Sequence, residues 1–358
     1  MDSIENTITF VLFKEYKIYG AISNDILRRA IGASIFANTT LLLIKCTREF
    51  VLTAIEYCRD FNVKIIDCLD INECKFHSDY IVTHTWPETL YSVSEIFGIE
   101  NLILIEETIP LIDRFKKPHI KQSFKDMILT TNPMLKIITK KYRKYIKHAR
   151  KYVAISNDQA GILVNRYSVT PNFISYDPID TRFFKYEENS LRDSLLVFNN
   201  LWNSPQFTKI VDSCKGIGVS NIICIGGNKV ADSLNGLKIE YIESYTFKEI
   251  SEIYSRAMLT ITDEANGSFE LIPIESLASG VPVITPDVPS INIVRGHLLY
   301  QENPPFFNYF SFLNGNLETL ISWYSKMDKM RQSFSSKSSE FFSMENVAKE
   351  FLLNLKSD

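Results

Sequence analysis

Along the first half of the chain, short apolar runs alternate with stretches of helical periodicity. Residues 8–13 (ITFVLF), 40–45, 63–68, 80–83 and 102–105 are strand-like runs, mostly apolar and of strand length. Between them, 25–37, 49–60 and 88–97 repeat their apolar positions every three to four residues, as helices covering one face of a sheet do. The second half repeats the scheme, with strands predicted at 195–199, 221–225, 239–242, 259–262 and 281–285. Strands without polar alternation are buried on both faces, so the pattern predicts two parallel α/β sheets, each wrapped by helices. The polar stretch 185–190 separates the halves and places a boundary near 182–192.

Within this pattern, 267–284 (GSFELIPIESLASGVPVI) combines a tight loop, a helix start and a buried strand. Gly267 and Ser268 suit an exposed loop, Pro273 a first helical turn, and Gly280 the helix end before the run 281–284. A helix N-terminus offers N–H groups to an anion, so a diphosphate would sit against the backbone near Leu271 and Ile272. Glu275, expected in the first turn, could accept hydrogen bonds from two ribose hydroxyls. The plain structural reading is a βα turn of some other doubly wound sheet.

These residues resemble the donor loop of the retaining GT-B glycosyltransferases of family 4, E-G-F-G-L-P-x-x-E-A-x-A-x-G-x-P-V-I. Phe269, Leu271, Glu275, Ala278, Gly280, Pro282, Val283 and Ile284 match. Gly267 stands at the first glutamate and Glu270 where glycine is usual, which makes Glu270 the candidate sugar-facing carboxylate. Residues 151–184 resemble the segment joining the family's two domains, with Asp180 kept in its turn, and 342–355 (FSMENVAKEFLLNL) resembles its closing helix. The resemblance implies a GT-B fold of two Rossmann-like domains facing an interdomain cleft. Residues 1–185 would bind the acceptor, 186–340 the nucleotide sugar, and 341–358 would cross back to the first domain.

The implied activity is metal-independent, retaining transfer of a sugar from a nucleotide diphosphate sugar, as substrate and without a cofactor, to a hydroxyl acceptor on a glycan, lipid or protein glycan. The family neutralises the leaving diphosphate with an arginine and a lysine. Here Asn200 stands at the arginine, and Lys209 either reaches a phosphate or is a solvated helical lysine. The loop holding Gly226 and Gly227 is a nucleotide contact or a plain turn, and Gly20 is what remains of the family's first glycine loop, on the acceptor side. His84 closes one predicted strand and Glu106 and Glu107 the next. His84 and Glu107 are candidates for proton transfer or acceptor orientation, against structural histidine and capping readings. A non-catalytic relative that keeps the fold is the alternative, and a sugar-nucleotide epimerase a third reading.

Composition narrows the field. The chain has 358 residues, 45% hydrophobic and 23% charged, with a net charge of −3. That length suits two domains, and that charge gives no drive toward nucleic acid. Six scattered cysteines without CxxC spacing read as free thiols in a reducing compartment, and 8–13 is too short for a signal core, so a cytoplasmic protein is expected. Residues 136–151 (KIITKKYRKYIKHARK) concentrate basic side chains on a predicted amphipathic helix. It would rest on an anionic membrane surface at the inner face, or carry a solvated basic face.

Overall fold

A computed structural model describes residues 4–14, 21–69, 78–85, 87–106, 133–198, 207–226, 231–243, 245–262, 269–297, 304–309 and 317–357. The chain divides into two compact units. The first holds Met1–Pro178, Asn266–Phe269 and Met344–Asp358, and the second Ile179–Ala265 and Glu270–Ser343. The first division thus falls at Pro178, earlier than the polar stretch suggested, because Ile179 donates its N–H to the Phe342 carbonyl and bridges Ser343 within the second unit.

The first unit is built on a parallel sheet of strands β1 (Ile4–Phe13), β2 (Ala37–Ile44), β3 (Val63–Cys68), β4 (Tyr80–His84), β5 (Leu102–Glu106), β6 (Lys151–Ala154) and β7 (Phe173–Ile174). Their spatial order is β3-β2-β1-β4-β5-β6-β7, so the winding reverses between β1 and β4. Phe10, Val11, Leu12, Leu41, Leu42, Leu43 and Ile103 are fully buried, which is why these runs carry no polar alternation. Helices α1 (Ala21–Ser34), α2 (Arg48–Tyr57) and α3 (Pro87–Phe97) connect the first strands. Thr47 caps α2 by accepting the Phe50 N–H.

Helix α4 (Pro133–His148) covers the basic run, which ends there; Lys151, expected on the helix, opens β6. Tyr142 and Ile146 are buried and Tyr145 packs edge-on against Tyr91, with ring centroids 4.9 Å apart. The described apolar positions of α4, Tyr142, Tyr145 and Ile146, therefore pack on the core, and Lys140, Lys144 and Lys147 face solvent. After α5 (Asn157–Ile162), capped by Ser156, the chain leaves through β7 and residues 175–178.

A buried charge cluster pins that exit to α1. Arg29 bonds Asp25 at 2.5 Å, the Ser175 hydroxyl at 2.7 Å and Asp177 at 3.2 Å, while Arg28 reaches the Pro178 carbonyl at 3.2 Å. Burial, then the nearby Asp25 carboxylate, push the Asp177 carboxyl well above its ordinary range.

The second unit carries β8 (Ser194–Phe198), β9 (Asn221–Ile225), β10 (Ser233–Leu234), β11 (Leu237–Ile242), β12 (Ala257–Ile261), β13 (Val283–Thr285) and β14 (Phe306–Asn308). Their order is β10-β11-β9-β8-β12-β13-β14, parallel except for the β10–β11 hairpin, and the winding reverses between β8 and β12. Its helices are α6 (Phe207–Lys215), α7 (Phe247–Arg256), α8 (Leu271–Ala278), α9 (Pro289–His297) and α10 (Leu317–Phe342). Thr246 and Glu249 form a reciprocal capping box on α7.

The last helix, α11 (Met344–Lys356), belongs to the first unit and lies against α1. Gly32 permits the approach: a Cβ there would strike the Met344 carbonyl oxygen and come within 2.9 Å of the Ala348 Cβ. Phe351 packs edge-on against Phe173 at 5.6 Å and beneath the Arg29 guanidinium. Cys46, Cys58, Cys68, Cys214 and Cys224 are free and buried, and burial pushes the Cys214 and Cys224 thiols up to about 12. Among the described residues, no helix is long and apolar enough to cross a membrane.

Candidate functional site

Ligands of doubly wound sheets bind beyond the carboxyl ends of the strands, where the winding reverses. In the second unit that point lies between β8 and β12, and the next described helix after β12 is α8, the helix of the sequence motif. It starts at Leu271, so Pro273 is its third residue and Glu275 its fifth. Glu275 thus stands in the second turn, one turn further along than expected. Proline is tolerated anywhere in the first turn, where its missing N–H would have no intrahelical acceptor, and so it did not fix the start.

The N-terminus of α8 presents the Leu271 and Ile272 amides, and both residues are half-buried, as is Glu275. Glu270 is the N-cap residue, extended at φ −91° and ψ 113°, and makes no side-chain capping bond to the helix. It is 8% exposed. A buried carboxylate at the positive end of a helix is favoured by the dipole and shares that space with any incoming anion. Phe269, expected to touch the donor, is buried and stacks on Tyr176 with centroids 6.1 Å apart at 22°, so its ring serves packing.

The far end of α8 closes in a Schellman motif. Val281 donates to the Ser276 carbonyl and Gly280 to that of Leu277, with Gly280 at φ +72°. Gly280 is needed twice over, because a Cβ there would also lie 2.5 Å from Tyr186 Cδ2. The Ser276 hydroxyl, fully buried, bonds Thr260 of β12 at 2.8 Å and ties helix to strand.

In the first unit, His84 ends β4 and Glu106 ends β5, next to the reversal between β1 and β4. His84 is 2% exposed, and burial lowers its pKa to about 3, so the imidazole is neutral at physiological pH. The histidine expected to take part in proton transfer or acceptor orientation is thus buried at the end of β4. Glu106 accepts hydrogen bonds from the buried hydroxyls of Tyr142 and Tyr152. Burial and then the Glu106 charge push both phenols well above their ordinary range. Glu106 is thereby a structural carboxylate, tying Tyr142 of α4 and Tyr152 of β6 to the end of β5.

Five candidates, Gly20, Glu107, Asn200, Gly227 and Ser268, lie outside the described residues, and of Lys209 only its backbone in α6 is described. Gly226, at φ +73°, turns the chain after β9, with open space where a Cβ would stand. The sequence reading missed the buried arginines Arg28, Arg29 and Arg331 and the part-buried Arg192. The only signal of the first three is an arginine beside small or apolar helix neighbours, which solvated helices share, and Arg192 lies in an irregular segment before β8 that carries no pattern.

No protein-family model and no curated protein matches the sequence. Solved structures do. A mutant of S. aureus TarM in complex with fondaparinux, α-GlcNAc-glycerol and UDP superposes with a TM-score of 0.66 at 8% identity, over 98% of this chain and 100% of that one. A sucrose-phosphate synthase from Thermosynechococcus elongatus gives 0.65 at 9% identity, over 98% of both chains. A putative UDP-N-acetylglucosamine 2-epimerase from Listeria monocytogenes gives 0.53 at 12%, over 99% and 96%. At such identities the likeness establishes the fold, and the fold is that of the GT-B glycosyltransferases, with two parallel-rich α/β sheets.

Proposed function

We propose that this protein is a glycosyltransferase that moves a sugar from a nucleotide diphosphate sugar to a hydroxyl acceptor. One observation carries the reading. At the winding reversal of the second sheet, a two-turn helix presents the Leu271 and Ile272 amides at one end and a half-exposed carboxylate, Glu275, one turn further on. Backbone amides suit a diphosphate, and a carboxylate suits a pair of ribose hydroxyls. The glycosyltransferase fold and the UDP in the TarM complex are consistent with that use.

In the retaining reaction the acceptor oxygen forms a bond to the anomeric carbon on the face the leaving group departs. The bond from that carbon to the diphosphate oxygen breaks, and the acceptor proton passes to the departing phosphate. Glu270 would face the sugar, and amides rather than side-chain cations would carry most of the leaving charge. No metal is assigned to this step. With His84 buried and neutral, acceptor orientation falls to Glu107 and the loop at Gly20. An anionic membrane surface would meet Lys140, Lys144 and Lys147 of α4 through charge, while Tyr142 and Ile146 of that helix are core.

The test is a thermal-shift screen with UDP, GDP, ADP and their hexose and N-acetylhexosamine derivatives, followed by turnover. A ligand that binds only the folded protein raises Tm by mass action. One nucleotide should raise it, and Glu275→Gln should weaken that nucleotide at least about tenfold, the scale of a lost charge-assisted pair of hydrogen bonds. No shift with any of them refutes the reading. A shift without turnover of the sugar nucleotide would favour the non-catalytic relative, to which Asn200 and Gly267 in place of charged residues point.

A further inference from the structure

The carbonyl groups at and just past the C-terminal end of α8 have partners, and the two past it are held by arginines, one buried and one part-buried. The Schellman bonds use Ser276 and Leu277, and Ser279 donates to Glu275. Beyond these, Ala278 accepts from the Ser335 hydroxyl, Ser279 from Arg192 at 3.2 Å, and Gly280 from Arg331 at 2.7 Å.

Both guanidinium groups are forked. Arg331 also donates to the Met258 carbonyl at 3.0 Å, the Tyr324 hydroxyl at 2.7 Å and the Asp328 carboxylate at 2.8 Å. Arg192 also donates to the carbonyls of Tyr254 at 3.2 Å and Ala257 at 3.0 Å. Tyr254 lies in α7, while Ala257 and Met258 open β12. Each arginine therefore ties the end of α8 to the root of the strand at which the sheet reverses.

We propose that Arg331 and Arg192 are positioning residues for the ligand end of α8, holding the helix by the Gly280 and Ser279 carbonyls just past its last turn and so fixing where the Leu271 and Ile272 amides point. The proposal rests on the nucleotide-sugar reading of that helix. An eight-residue helix is too short to persist on its own hydrogen bonds, so its direction comes from what holds it. Ser276 and the two arginines hold one end, about 12 Å of helix rise from the first amide. A small tilt about that end displaces the amides by the full lever.

A neutral donor could satisfy either carbonyl. Two arginines, each forked onto β12 or its approach, instead fix angle as well as distance. Arg331 is 3% exposed, and burial, then the charge of Arg331, lower the Arg192 pKa to about 10, which leaves Arg192 a cation at neutral pH. The negative end of the helix dipole offsets part of the cost of placing two like charges together.

The experiment measures UDP, GDP and ADP affinity by calorimetry, well below Tm, for wild type, Arg331→Met, Arg331→Lys and Arg192→Lys. Ile222→Val, a core change in β9 away from α8, serves as the control for lost stability. Arg331→Met should weaken the nucleotide that binds wild type at least about tenfold. Arg331→Lys keeps the charge but loses the fork, and it should not restore affinity. The control should bind within about twofold of wild type.

Affinity within about twofold of wild type in Arg331→Met overturns the proposal, and recovery in Arg331→Lys overturns the fork in favour of charge alone. Should Arg331→Met fail to fold, the two lysine variants carry the same comparison. If wild type binds none of the three nucleotides, the functional reading fails by itself. Amide exchange at Glu275, Ser276 and Leu277 then decides the positioning claim: faster exchange confined to α8 in Arg331→Lys keeps it, and wild-type exchange overturns it.

Discussion

Burying His84 at the end of β4 should make the first unit acid-sensitive by a calculable amount. The imidazole titrates near 6.5 when the chain is unfolded and at about 3 when folded, because burial penalises its cation. Between those values the unfolded chain binds the extra proton, so stability is complete above pH 6.5 and falls as pH drops toward 3. The loss is about 1.4 kcal/mol per pH unit, or ~2 kcal/mol by about pH 5. His84→Gln removes the titration and leaves other groups, Asp177 among them, to titrate alike in both proteins. The assay is native-state amide exchange of Val82 and Thr83 in β4, corrected for intrinsic rates, at about pH 7.5 and about pH 5. Wild type should lose ~2 kcal/mol more than His84→Gln across that interval. Equal losses in the two proteins would mean that His84 is hydrated or ionised in the folded chain, and the argument from its burial would fail.

Other outcomes follow from packing. Gly32→Ala drives a methyl onto the Met344 carbonyl and toward Ala348, so α11 must shift; a loss of ~1–3 kcal/mol is expected, read as accelerated amide exchange in α1 and α11. Gly280→Ala forces φ +72° on an L-residue and meets the Tyr186 ring, and should cost ~2 kcal/mol or more by thermal unfolding, with weaker nucleotide binding. Glu106→Gln leaves two buried tyrosine hydroxyls with a neutral partner and should cost ~1–3 kcal/mol by Tm.

The strands were legible because a central parallel strand has no wet face, and runs such as 8–13 and 102–105 show unbroken apolarity. β14 escaped because a three-residue edge strand, Phe306–Asn308, leaves no run to read. α8 was legible from Gly280, whose position past the last turn is fixed by sterics, while its start was not, because Pro273 is equally comfortable at several first-turn positions. Neighbouring carboxylates were ambiguous for a related reason. Successive residues of an extended segment point to opposite faces, so sequence alone does not say which of two adjacent carboxylates is inside; the structure describes Glu106, which is buried. Arg331 was invisible because α10 reads as a polar helix, and its burial depends on the end of α8 packing against it.

The two sheets resemble each other in winding but treat their reversal points differently. In the first unit the described strand ends there are closed by their own side chains: His84 is buried and neutral, and Glu106 is committed to Tyr142 and Tyr152. In the second unit the corresponding place is followed by a helix whose first residues and Glu275 are only half-buried, while its other end is held by Ser335, Arg192 and Arg331. A binding site needs groups that stay available and a frame that keeps them still. Among the described residues, the start of α8 is half-buried while its far end is held, whereas His84 and Glu106 are buried outright. Under the proposed function, recognition of the diphosphate would fall to the second unit, and substitutions at the strand ends of the first should change stability before they change nucleotide affinity.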